Sequence, residues 1–128
     1  MEAGLLALLL LQLKHFFCDF VTQTPYQLRY KRIYGHPAGL LHAAHHLIGS
    51  GAAFAMLAAI VPLPVPLTYV AMLLGAEFLL HYHIDWAKEQ VIRPYVASQG
   101  PAFWAIFGFD QFLHQLTYVA IIYFVVRG

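Results

Sequence analysis

Within 128 residues the chain holds four apolar stretches, each long enough to cross a bilayer, joined by short connectors. A helix rises about 1.5 Å per residue, so about 20 apolar residues span the hydrocarbon core. The stretches run near residues 3–23, 38–61, 67–88 and 102–126. They predict an all-α membrane protein, a four-transmembrane-helix bundle forming one domain over residues 1–128. Composition agrees: 61% of residues are hydrophobic and 10% charged, too few charges to cover a water-soluble surface. The expected partner is the lipid bilayer. A net charge of +1 gives no case for nucleic acid, and the single cysteine, Cys18, excludes an internal disulfide or a Cys-based zinc motif.

The first stretch lacks the basic start and small-residue cleavage site of a signal peptide, and Lys14, His15 and Asp19 interrupt it, so it reads as a retained helix. The connectors differ in charge. "TPYQLRYKRIYGHP" carries Arg29, Lys31 and Arg32, and the third connector region carries Lys88 and Arg93, whereas "PLPVP" between them has no charge. The positive-inside rule then predicts cytoplasmic basic loops and termini outside, with Arg127 the one exception.

Polar and ionisable residues inside the apolar stretches recur four apart, which on a helix leaves each only about 40° from the last, on one stripe. Glu77, His81 and Asp85 form one such stripe in the third stretch; His15, Asp19 and Gln23 form another in the first. Asp110 and His114 repeat the spacing in the fourth, and His42 with His45 or His46 supplies the second. At about 1.5 Å per residue, the His and Asp pairs lie about 5–18 Å from the cytoplasmic ends, with Glu77 at about 16 Å. A charge in hydrocarbon costs at least about 2.5 kcal/mol, so these groups should face inward and find partners.

A cation is the simplest common partner for several imidazoles and carboxylates. His15, Asp19, His42, His46, His81, Asp85, Asp110 and His114 are eight candidate ligands, suited to one or two divalent ions of Zn, Mn or Fe. Either two ions share them, or a subset holds one ion while the others orient those ligands. An open position on such an ion would lower the pKa of a water molecule and make hydrolysis available.

The run "HFFCDFVTQ", a basic residue in the first connector, then "LLHAAHH", "HYHIDWAK" and "DQFLHQL" resembles the bacterial membrane family known as domain of unknown function 3307. The resemblance runs from about His15 to about His114. Its pattern falls on His15, Asp19, Phe20, Gln23, His42, His81, Asp85, Lys88, Asp110, Gln111 and His114, and does not include His45 or His46. It implies a multi-pass protein of the bacterial inner (cytoplasmic) membrane, distantly similar to small proteins described as metal-dependent hydrolases.

Together these readings predict hydrolysis of a lipid-like, membrane-accessible ester or phosphoester, with Asp85 or Asp19 as general base. Gln23, Glu77, Lys88, Gln111 and His45 would support the ligands or meet the substrate, and Arg29, Lys31 and Arg32 would set topology or meet phosphate. Lys14 is expected off the stripe, pairing with a neighbour or snorkelling, and Glu77 is a candidate partner for it. The competing readings are a hydrogen-bond network holding helices in register, a metal or proton transporter, and a subunit of a homo-oligomer or larger membrane complex.

Overall fold

The structure, a computed structural model, describes residues 2–127; these are helical almost throughout, with no strand among them. Helix α1 (Glu2–Phe16) continues through a π turn at Phe17–Val21. A short α2 (Pro25–Tyr30) precedes α3 (Pro37–Ile60), α4 (Leu67–Ile92) and α5 (Pro101–Arg127), and a 3₁₀ turn at Arg93–Tyr95 ends the α4 rod. Four helical segments, Glu2–Val21, Pro37–Ile60, Leu67–Tyr95 and Pro101–Arg127, are long and apolar enough to cross a membrane.

The boundaries follow local chemistry. Thr24 caps α2 by accepting from the Gln27 backbone N–H, while the Gln27 side chain accepts from the Thr24 N–H, a reciprocal capping box. His36 Nδ1 caps α3 by accepting from the Ala38 N–H, with Pro37 starting the helix where its missing N–H has no intrahelical role. Three prolines, at 62, 64 and 66, prevent α3 from running into α4. Gly35 turns the chain into α3 at φ +75°, a conformation in which a Cβ would be strained.

The basic connector after the first span holds the short helix α2. The first span also ends at Val21, so Gln23 lies in the connector and not on the helical stripe expected from its spacing. The chain runs up and down through α1, α3, α4 and α5, each packed on the next and α5 on α1, closing a ring.

Two layers fill that ring. Ala7, Leu11, Phe54, Leu57, Leu74, Ile121 and Val125 form an apolar half around the α3–α4 turn. The other half, toward α2 and the α4–α5 connector, buries Lys14, His42, His46, Glu77, His81, Asp85, Asp110 and His114. Large apolar side chains including Leu5, Ile48, Met72, Leu79, Phe109 and Val119 point outward. Ionisable groups inside and hydrocarbon outside is the reverse of a water-soluble fold.

Candidate metal centre

Two carboxylates organise the polar half. Asp19 reaches the centre from the π turn, where the Thr22 N–H donates to the Phe17 carbonyl five residues back at 2.9 Å. Such π turns widen a helix locally and occur often at functional sites. Asp19 Oδ1 lies 3.0 Å from His42 Nε2 and 3.1 Å from His46 Nε2, and Oδ2 lies 3.2 Å from His15 Nε2. From α4, Asp85 Oδ2 lies 3.0 Å from His42 Nε2 and 3.7 Å from His81 Nε2, while Oδ1 is 3.5 Å from His114 Nε2. His114 Nε2 also lies 3.4 Å from Asp110 Oδ1.

The imidazoles stack between these carboxylates. The His46 and His81 ring centroids are 3.7 Å apart, and those of His81 and His114 are 4.2 Å apart. Donor atoms of Asp19, His42, His46 and His81 all lie within 4.8 Å of one another, as do those of His81, Asp85 and His114. His81 belongs to both groups. His15 and Asp110 stand beside them: His15 has Nδ1 bonded to the Tyr118 hydroxyl at 2.9 Å and Nε2 to Gln111 Oε1 at 2.8 Å. Gln111 Nε2 in turn donates to Asp110 Oδ2.

The donor set fits a divalent transition metal. Zn²⁺ holds N and O ligands at about 2.0–2.2 Å in a tetrahedron, which puts neighbouring donors about 3.3–3.6 Å apart, close to the separations around Asp19 and Asp85. Hydrogen bonds have similar lengths, so the decisive observation is His81. Both of its ring nitrogens are buried with no hydrogen-bond partner, and His114 Nε2 and Asp110 Oδ1, 3.4 Å apart, face each other without forming a hydrogen bond. An orphaned buried polar group costs about 1–3 kcal/mol, whereas a cation shared by these donors would satisfy them together.

Around the two groups, polar side chains fix the rings. Gln23, although outside the helix, places its amide 3.2 Å from His42 Nδ1. His45 turns away from the centre and pairs with Gln27 at 2.9 Å, so His46 is the member of that pair that faces inward. Lys14 is buried: it donates to Glu77 Oε1 at 2.7 Å, to the Tyr118 hydroxyl at 3.1 Å and to His46 Nδ1 at 3.2 Å. Ser50 completes this network by donating to Glu77 Oε1.

Two of these partners, Tyr118 and Ser50, escaped the sequence reading, and the pairing of a third residue, Lys31, was not foreseen. Tyr118 stands four residues after His114, and Ser50 four after His46, so continuing each stripe by one turn would have found both. Lys31 had no such signal. Its ammonium donates to Asp85 Oδ2 at 3.2 Å from a connector read as topological or phosphate-facing.

A cavity of about 230 Å³ opens onto the carboxylates, lined by Asp19, Asp85 and Asp110 together with Lys31, Lys88 and Gln111. Lys88 pairs with Glu89 at 2.6 Å on its wall. Arg29 and Arg32 stay outside this cavity, the latter giving its carbonyl to Gln90. His83, exposed on α4, accompanies Tyr34 and not the centre.

Comparison with known proteins adds the family. The profile described as "Protein of unknown function (DUF3307)" matches residues 5–127, nearly the whole chain, and the chain belongs to that family. No curated protein and no solved structure matches it.

Proposed function

We propose that this member of a family of unknown function is a multi-pass membrane protein that holds one or two divalent transition-metal ions and hydrolyses a membrane-accessible ester or phosphoester. The inside-out distribution of charge supports insertion. The basic residues of the α1–α3 and α4–α5 connectors would set those loops in the cytoplasm, with the termini outside. The observation that carries the metal is His81, buried between two donor groups with both ring nitrogens unpartnered.

Asp19, His42, His46 and His81 would hold one ion, and Asp85, His114 and His81 a second or the far side of the first. A divalent ion there supplies Lewis-acid activation of water and polarisation of the scissile group. The chain's own part is positional. Asp19 and Asp85 are both on the cavity wall, and whichever of them is not committed to an ion would accept the proton of the attacking water. Lys31 restrains Asp85, and Lys31 and Lys88 face the space in which phosphate oxygens would sit. His15, Gln23 and Gln111 keep rings and carboxylates oriented.

Transport of a metal or proton is the second reading, favoured by one specific feature. The Lys14–Glu77–Ser50–Tyr118 network extends the ionisable groups beyond the centre, toward the apolar half. Elemental analysis of detergent-purified protein beside an Asp110→Ala/His114→Ala variant tests the metal, and phosphoester turnover against proteoliposome flux separates the two readings. One or two equivalents of metal, diminished in the variant, with turnover support the hydrolase. Metal-dependent flux without turnover moves the function to transport, and a folded protein that takes up no metal overturns both metal-based readings.

A further inference from the structure

The polar cavity has a second, apolar space beside it on the lipid-facing side of the bundle. A groove of about 610 Å³ runs between α4 and α5, with Ala87, Val91, Ala105 and Phe109 among its lining residues. That volume is within the range of about 300–1,000 Å³ typical of small-molecule sites. Two residues belong to both spaces: Lys88 and Asp110 line the groove and the polar cavity alike. Apolar and polar space therefore meet at Lys88 and Asp110, one ammonium and one carboxylate. Asp110 also approaches His114 Nε2, so the junction touches the candidate metal centre itself.

We infer that the α4–α5 groove holds the single hydrocarbon chain of a lipid phosphoester whose phosphate head lies in the polar cavity, having reached it sideways from the bilayer. The assignment rests on the metal-centre reading for the charge of the cavity. Asp19, Asp85, Glu89 and Asp110 line it against Lys31 and Lys88. Counted over these six side chains alone, four carboxylates against two ammoniums leave the lining two charges negative. Each divalent ion would add two positive charges beside this lining, so a phosphate is better matched to the metal-loaded chain than to the metal-free one. Lys88 stands where head and chain would meet, its stem along apolar surface and its ammonium at the polar side.

Ala87 and Ala105 are exposed and small, so large residues there fill the groove without entering the bundle core. The full chain, purified in detergent with Zn²⁺ added or removed by chelator, is labelled with dodecyl phosphate carrying a diazirine in mid-chain. The comparison is the dodecyl alcohol bearing the same group. Peptide mapping is expected to show saturable labelling in the 84–91 and 105–113 segments that needs Zn²⁺ and exceeds the alcohol by about tenfold. Ala87→Trp/Ala105→Trp is expected to lower it by about tenfold with melting temperature and Zn content unchanged.

Labelling that is equal for the alcohol, spread around all lipid-facing helices, or indifferent to the tryptophans overturns the assignment. Zn bound with unselective labelling overturns the groove alone. Phosphate-selective groove labelling in a chain that takes up no Zn supports the lipid site while removing its metal-dependent charge argument.

Discussion

The Lys14 ammonium and the Glu77 carboxylate meet at 2.7 Å across α1 and α4, with side-chain exposures of 5% and 1%. Removing one member of a buried ion pair leaves the other uncompensated, at about 3–5 kcal/mol, whereas replacing both with apolar groups of similar size can be near neutral. Glu77→Leu alone is expected to lower stability strongly, and Lys14→Met/Glu77→Leu to recover most of the loss. Thermal unfolding in detergent of the two singles and the double decides it; additive losses would show that the pair is not coupled.

Gly49 is expected to respond against its helix propensity. A Cβ there would lie 2.6 Å from Lys14 Cγ, whereas one at Gly51 meets nothing within 4 Å. Overpacking costs about 1–3 kcal/mol. Gly51→Ala should instead gain up to about 1 kcal/mol, as alanine does over glycine in a helix. Melting temperatures of Gly49→Ala and Gly51→Ala should therefore move in opposite directions.

Metal affinity should rank the histidines by their place in the structure. His81→Ala removes a donor common to both groups and is expected to abolish tight uptake at either. His15→Phe and Gln111→Leu disturb groups beside the donors and are expected to weaken affinity by about 10–100-fold. His83→Ala, on the exposed side of α4, should leave it unchanged. Titration against a competing chelator gives all four values, and a His83 effect as large as that of His81 would refute the ranking.

Metal removal should be visible without any substrate. An ion bound only by the folded state, free at about 100 times its Kd, stabilises by about 2.7 kcal/mol. A chelator is thus expected to lower the melting temperature of the native chain and to leave His81→Ala almost unmoved. Because imidazole and carboxylate ligands bind in their deprotonated forms, uptake should release protons and weaken with increasing acidity. Calorimetry in buffers of different ionisation enthalpy reads the proton release; uptake that strengthens with acidity would contradict a His/Asp centre.

The spacing of His and Asp made much of the buried His/Asp cluster legible. Glu77, His81 and Asp85 share a face because four residues advance a helix by little more than a turn, and the structure buries all three. The same rule gave Asp110 with His114 and reached Lys14's partner among the candidates. It left His45 and His46 unresolved, since both satisfy a helical spacing from His42; packing of α3 against α2 and α4 chose between them by giving His45 to Gln27 and turning His46 inward.

What the sequence determined by itself is therefore the number of long helices, their apolar character and one polar stripe on each, because hydropathy and the helical period are properties of a segment alone. What only the tertiary structure decided is where connectors and neighbouring helices carry side chains. The Lys31 ammonium reaches Asp85 because the chain folds back through α2, Gln23 reaches His42 from outside the helix, and Lys14 passes Gly49 to Glu77. None of these pairs is local in sequence; each depends on the rotation and order of helices around the ring, which a periodicity within one helix does not contain.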